Sequence, residues 1–545
     1  MNNRLLFAAV AALIFIGACD DSEKDPIPKN FTITNLRVDD RVNQVVYTDV
    51  PVNPVISITF SEPIDRESAA SAISLIRNTV SAPTSFSFSN QDSTVIVMAG
   101  EGLEYWSAYN LRISPELESI AGNLFGSTHL VTLRTGIDTT DKFPRIPNDS
   151  LLTAVQKQTF KFFWDFGHPT SGMARERNTS GDLVTTGGTG FGLMAIIVGI
   201  ERNFITRTEG LNRLDKILAF LETADRFHGV WPHWINGVTG KVIPFSTNDN
   251  GADLVETSFL AQGLLTFRQY MDGSNTQEKG LIDRINALLT AIEWNWFTKN
   301  ENVLYWHWSP DKAWIMNHKI VGYNEALITY VMAASSLTDT IDPAVYYQGW
   351  ANNGGIKNGR KFYEITLPLG YDYGGPLFFA HYSFLGLDPR TLEDTYANYW
   401  TQNVNHTLIN HAYVVDNPKN FAGYSEDSWG LTASDNRNGY AAHSPSNDLG
   451  YISPTAALSS FPYTPEQSTK ALHFFYYKLG DKLWGEYGFR DAYSISELWV
   501  ADSYLAIDQG PIIIMIENHR TGLLWNLFMS APEVQSGLTK LGFTF

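Results

Sequence analysis

The 545 residues contain one cysteine, Cys19, so no disulfide can form within the chain and no thiolate cluster can hold a metal. Histidine is scarce as well. None of the twelve falls in an H-x-x-x-H spacing with a helper Glu, which argues against a zinc hydrolase; no metal or cofactor is expected. Positive charge is in the minority, 39 Lys and Arg against 57 Asp and Glu for a net charge of −18. Phosphate binding needs a basic patch, so nucleic acid is not an expected partner. There is no G-x-S-x-G nucleophile elbow. The Gly-rich run TTGGTGFG, 185 to 192, lacks the Lys-Ser/Thr of a phosphate loop, which points instead to close helix packing or a sugar-facing surface. STNDNGADLVET, 246 to 257, fails as a calcium loop because Ser246 and Thr257 replace its first Asp and its closing Glu.

The N-terminus carries an address. Arg4 precedes a short apolar stretch and then small residues, a signal-peptide pattern too short for a stable membrane span. Ile16-Gly17-Ala18-Cys19 resembles a bacterial lipobox, which implies that Cys19 is lipidated and opens the mature chain. The acidic run from Asp20 to Glu23 resembles the surface-export signal of some lipoproteins. Residues 1–19 are thus expected to be a lipoprotein signal peptide. The mature protein is expected to be an outer-membrane lipoprotein on the periplasmic or cell-surface face, held to the membrane by its lipid only, and a monomer.

The rest of the chain divides by periodicity. From 30 to 137, stretches such as QVVYTDVPVNPVISITF alternate apolar and polar residues between Pro, Asn and Gly turns, predicting about seven strands in a small Ig-like β-sandwich. It shows no clustered acid pair or His, which suits a spacer or docking module. Residues 138–149 are polar and Pro-interrupted, as in a linker. From 150 to 545 the period becomes helical. LNRLDKILAFLETADRF and GLIDRINALLTAIEWNW carry charge on one face, whereas GFGLMAIIVGI and NEALITYVMAA are apolar all round. One-sided charge implies an outer helix and all-round apolarity an inner one. About six inner helices predict a mainly α fold, an (α/α)6 toroid. A weak repeat supports it: an aromatic-His-Trp strand recurs from His233 to His307, each time ahead of an acid that opens a buried helix.

Those acids are the candidate chemistry. A helix from about Ala252 puts Asp253 and Glu256 one turn apart on one face, with Asp249 at its cap. Acids also cap helices and complement the dipole for up to about 1 kcal/mol each, but three together should repel and raise at least one pKa. Glu325 opens the next inner helix, facing the same cavity from an adjacent wall. Paired carboxyls are what glycoside hydrolysis needs. Glu426 and Asp427, with Trp429 in GYSEDSWG, form a third acidic mouth that could bind sugar hydroxyls. Fifteen Trp and twenty-five Tyr add candidate sugar platforms on two hairpins: Trp231, His233 and Trp234, then Trp306, His307, Trp308 and Trp314, of which alternate residues should face the ligand. A polysaccharide lyase would use Tyr, His and Arg, and Arg177, His233 and Tyr371 keep that reading open.

The ordered motifs TSGMARERN, TTGGTGFGLMA, NDNGADLVETSFLAQGLL, VGYNEALITYV and GYSEDSWGLTASD resemble the bacterial glycoamylase domain and its branch, glycoside hydrolase family 144, over about 150–545. The resemblance implies an (α/α)6 enzyme that cleaves β-1,2-glucan internally with inversion. It matches Asp249, Asp253, Glu256 and Glu325 to catalytic acids and makes Glu325 the general acid. A polysaccharide or oligosaccharide is then the expected partner. The alternatives from the residues are a non-catalytic surface glycan-binding lipoprotein and a glucoamylase-like hydrolase of another glucan.

Overall fold

The computed structural model describes residues 30–545; Cys19 and the signal-peptide pattern lie outside the described residues. Two compact units are present, one of residues up to 103 with 108–133, the other of 104–107 with 134–545.

The first unit is a sandwich of two five-stranded sheets. Alternation buries one face of most strands, as in Val55–Phe60, where Ile56, Ile58 and Phe60 point inward, and in Ala108–Ile113, where Tyr109, Leu111 and Ile113 do. The chain makes ten strands here rather than about seven, two of them of only two or three residues. It also makes a helix, Arg66–Ala72, that a period-two reading cannot show. Asp65 caps it by accepting from the Ser68 N–H at 2.8 Å.

The second unit is helical, and burial sorts its helices as their charge does. Thr186–Glu201, Leu254–Tyr270, Leu327–Ser335 and Ala506–Thr521 are buried along most or all of their length. Arg207–Leu221 buries one stripe, Leu211, Leu214, Ile217, Leu218 and Leu221, and Thr276–Thr290 buries Leu281, Ile285 and Leu288. Their starts are fixed by side chains: Thr206 and Glu209 form a capping box, and Asn275 accepts from the N–H groups of Gln277 and Glu278.

The buried segments neighbour one another in a definite order. Pro454–Leu458 packs on 506–521, that on 186–201, that on 254–270, and that on 327–335. The 327–335 helix then meets the turn Ser383–Leu385, and His381 reaches back to Ser460 at 3.0 Å. Two of these six segments are not the full helices that the period suggests. Leu377–Ala380 and Ser383–Leu385 are 3-10 turns bounded by Gly375-Pro376 and Gly386, and Pro454–Leu458 lasts little more than one turn. Proline and glycine at the flanks stop propagation that their apolar content would otherwise allow.

The Gly-rich run opens the 186–201 helix, behind a three-residue strand, Leu183–Thr185, that pairs with Trp234–Asn236. Its role is close packing. A Cβ on Gly190 would lie 2.2 Å from the Phe259 carbonyl oxygen, and one on Gly263 would lie 2.2 Å from that of Gly190. The helices 186–201 and 254–270 therefore touch backbone to backbone, which fixes how their N-terminal ends face each other.

Candidate active site

The 254–270 helix begins two residues later than Ala252. Ala252–Asp253 is a short strand paired with His307–Trp308, and Asp253 is the helix N-cap. Its Oδ1 accepts from the N–H groups of Val255 at 3.0 Å and Glu256 at 2.9 Å. Its Oδ2 lies 3.0 Å from Nδ1 of His233. Capping and site chemistry are thus carried by the two oxygens of one carboxylate. The repeat serves the same end, because Asp249 Oδ1 meets His307 Nε2 at 3.1 Å. Each aromatic-His-Trp strand delivers its His to an acid of the same loop and helix.

Glu256 is the third member. Its Oε2 accepts from the Gly187 N–H at 2.7 Å and the Thr185 hydroxyl at 3.3 Å, and its Oε1 lies 3.9 Å from His233 Nε2. Burial raises its pKa, opposed by His233, reinforced by the charge of Asp253, and opposed again by the two donors. Burial works against a charged His233, but Glu256, the hydrogen bond to Asp253 and the charges of Asp253 and Asp249 overcome it and raise the imidazole to about 9. His233 is therefore a cation at neutral pH.

Glu325 stands two residues ahead of the 327–335 helix rather than in it. The Ser383 hydroxyl donates to its backbone carbonyl and accepts from the Ile328 N–H at 3.0 Å, which leaves the carboxyl outside that tie. Burial, and then the charges of Asp253 and Glu256, push this carboxyl up to about 7 against a backbone hydrogen bond. Glu325 can therefore be neutral near pH 7, and Glu256 is shifted in the same direction.

A second acidic group, missed in the sequence, adjoins the first. Arg177 is bound by Glu176 at 2.8 Å and by Asp435 at 3.1 Å. The Asp435 N–H donates to Asp491 at 2.6 Å. Asp491 is pushed up to about 7 by burial and by Asp435, and Asp508 is raised well above the ordinary carboxylate range by burial, then by the charge of Asp491 and a hydrogen bond with it. Each is 2% exposed. Tyr382 relates the two groups: burial, then Asp508, Tyr440, Glu325 and Glu256, raise its phenol well above its ordinary value. Asp508 had a readable signal, an acid in the first turn of a helix that continues into IIIMI, the same pattern as Glu256. Asp491, alone in GFRDAYS, had none.

A cavity of about 330 Å³ is lined by His233 from the first group and Glu176 and Arg177 from the second, together with Thr185, Trp234, Phe245, Tyr440, Leu505 and Ile507; Asp249, Asp253, Glu256 and Glu325 are not in its lining. Phe245, half-exposed, stacks on His233 at 4.4 Å. Other predicted platforms lie elsewhere. Trp231 is fully buried, donates to the Leu221 carbonyl and packs under Arg226 at 4.0 Å; Trp429 is equally buried and donates to the Gln467 carbonyl. Both are corrected to core residues, since a covered indole has no face for a sugar. Trp308 and Trp314 pack on Trp296, and Trp306 stacks on His318, all partly exposed. Glu426 pairs with Lys470 at 3.0 Å on the surface, and Tyr371 is 68% exposed. Among the described residues no group of three or more His, Cys, Asp or Glu is placed to hold a metal ion.

Comparison with known proteins bears on this geometry. The family described as "Putative glucoamylase" matches residues 317–532, and the bacterial Ig-like domain family matches 40–135. An exo β-1,2-glucooligosaccharide sophorohydrolase (non-reducing end) of Parabacteroides distasonis is 48% identical over 418 residues, 72% of this chain. The match spans 58% of the length of that curated relative. The structure of an endo-β-1,2-glucanase from Chitinophaga pinensis, in complex with sophorotriose and glucose, is 55% identical, with a TM-score of 0.73 over 74% of this chain and 99% of that one. A β-1,2-glucanase from Parabacteroides distasonis is 38% identical, with a TM-score of 0.71 over 94% of this chain and 74% of that one. The chain belongs to the glycoamylase-domain family of glycoside hydrolases, together with these β-1,2-glucan-cleaving relatives, and carries a bacterial Ig-like domain N-terminal to its helical unit.

Proposed function

We propose that this protein hydrolyses β-1,2-glucan within the chain and with inversion, Glu325 protonating the glycosidic oxygen while Asp249, Asp253 and Glu256 position water or hold the sugar at the scissile bond. The observation that carries this reading is a buried carboxyl, Glu325, pushed up to about 7 in the neighbourhood of two acids, Asp249 and Asp253, that each meet a histidine. A general acid must be protonated at working pH, and an inverting pair leaves room for water, with carboxyls about 6.5–9.5 Å apart. The closed order of six buried segments supports an (α/α)6 toroid with this site at its mouth. We place the enzyme on a lipid anchor at Cys19 in the outer membrane, as a monomer, with residues 30–137 as a spacer, 138–149 as a linker and 150–545 as the catalytic domain.

Incubation of protein lacking residues 1–19 with linear β-1,2-glucan, β-1,3-glucan and starch tests the reading. Short oligosaccharides of mixed length from β-1,2-glucan alone are expected. Sophorose as sole product would replace endo by exo action, and no product from any of the three would leave a glycan-binding protein. The pH profile is a second test. Glu325 loses its proton above about 7 while His233, at about 9, keeps its own. The value of kcat/KM should therefore fall roughly tenfold per pH unit from about pH 7 upward, and a flat profile to pH 8.5 would remove Glu325 as the acid.

A further inference from the structure

Asparagine precedes glycine five times in the chain, at Asn236, Asn250, Asn353, Asn358 and Asn438. Such a step is chemically labile, because glycine has no side chain to keep its nitrogen away from the asparagine side-chain carbonyl carbon. Three of the five are held. Asn236 Oδ1 accepts from the N–H groups of Val238 at 3.1 Å and Thr239 at 2.9 Å, Asn250 Nδ2 donates to Asp311 at 3.0 Å, and Asn358 Nδ2 donates to the Gly370 carbonyl at 2.9 Å. Asn353 and Asn438 are exposed, and among the described residues their side-chain amides make no hydrogen bond. Asn438 is the one placed to matter. It closes the two-residue turn of the hairpin Ala433–Asn436 and Gly439–Ala442, two residues from Tyr440, which lines the active-site cavity. We propose that Asn438 is a modification site, at which the chain deamidates through attack by its own Gly439 nitrogen and leaves an aspartyl or isoaspartyl residue at the hairpin tip.

The Gly439 nitrogen bonds to Cγ of Asn438 and gives up its proton, the side-chain nitrogen leaves with that proton as ammonia, and a succinimide ring closes. One water then opens the ring at either carbonyl. Water enters and ammonia departs, so the mass gain is the exchange of NH for O, and solvent is the only co-reactant. Space does not oppose closure: Gly439 has a φ of 135°, and no atom lies within 4 Å of where its Cβ would be. The consequence reaches the cavity through register. Tyr440 stands opposite Asp435 in the hairpin, and Asp435 binds Arg177 at 3.1 Å. An isoaspartyl link carries the backbone through the side-chain carbons and lengthens it at the turn, which moves Tyr440 out of step with Asp435. Arg177 and Tyr440 both line the cavity, so one of its walls is reshaped. Arg437, the adjacent cation, is already bound to Glu497 at 2.9 Å, and the new carboxylate gains no free partner there.

The test is peptide mass mapping of the full chain during incubation in mildly alkaline buffer, which favours the deprotonated amide. Conversion at Asn438 should outpace that at Asn236, Asn250 and Asn358 by about tenfold, the factor that one hydrogen bond holding the amide represents. Cleavage of β-1,2-glucan should decline in step with the isoaspartyl fraction at 438, an effect that rests on the function proposed above. Asn438→Gln starts with wild-type activity and should keep it through the same incubation, since its longer side chain would have to close a larger, slower-forming ring. Asn438 unconverted while Asn353 converts, or converting no faster than the three held sites, overturns the inference. Equal decline of activity in wild type and Asn438→Gln overturns the link to the cavity. If fresh wild type cleaves no glucan, the proposed function falls, and the mass map alone still decides the modification.

Discussion

Glu325→Gln should lower the proposed β-1,2-glucan hydrolysis by about a thousandfold, inside the 10²–10⁴ that a general acid contributes, and leave the protein folded. Gln matches Glu in size, and the tie to Ser383 uses the backbone carbonyl of residue 325 rather than its side chain. Stability should change in a direction that a merely structural residue would not give. The folded carboxyl titrates at about 7 against an ordinary 4.5, so the native state binds this proton more tightly than the unfolded chain. Below pH 4.5 both states are protonated and nothing is lost. Between 4.5 and 7 wild type loses stability, to a limit of roughly 3 kcal/mol, as the unfolded state releases its proton first. The Gln variant has no such loss. Denaturant unfolding at pH 4.5 and pH 8 should show wild type losing ground to the variant. Equal pH dependence in the two, or turnover within tenfold of wild type, would sink the assignment.

What could be read in the sequence depended on how far apart the cooperating residues lie. Asp253, Glu256 and Glu325 were legible because an acid at the mouth of an otherwise apolar helix is a local anomaly, visible within ten residues. His233 and His307 were legible as a repeat, and the structure gives each its acid, Asp253 and Asp249. The pairing of Arg177 with Asp435, 258 residues on, has no local signature, and neither does Asp491. Orientation was the other gap. Period two says that Trp231 and His233 share a side, yet Trp231 lies in the core while His233 reaches the cavity. Fold class followed from helix amphipathicity, which is a property of single elements. The short turns at 377–385 escaped it, because their Pro and Gly flanks outweigh an apolar pattern that is still helical in period.

Gly190→Ala should destabilise the helical unit by about 3 kcal/mol, the upper end of the cost of overpacking. Alanine is the better helix former by about 1 kcal/mol in isolation, so the sign is decided by space. The new methyl would stand 2.2 Å from the Phe259 carbonyl oxygen and 2.7 Å from the Leu260 Cα, and backbone cannot swing aside as a side chain can. Relief requires the helices 186–201 and 254–270 to part. That separation would also stretch the bond from Gly187 N–H to Glu256, 2.7 Å long and spanning the same pair of helices, so turnover should fall with stability. Gly187→Ala separates the two effects. Its methyl would meet Glu256 Oε2 at 2.6 Å and the Phe259 ring edge at 2.9 Å, side-chain atoms that can move. Activity should therefore drop while the unfolding midpoint stays within about 1 kcal/mol of wild type. Midpoints from tryptophan fluorescence in denaturant, read beside kcat for both variants, decide the matter. A Gly190→Ala protein as stable as wild type would mean that the helices are not held at backbone contact. A Gly187→Ala protein with full turnover would mean that the placement of Glu256 does not matter to the chemistry.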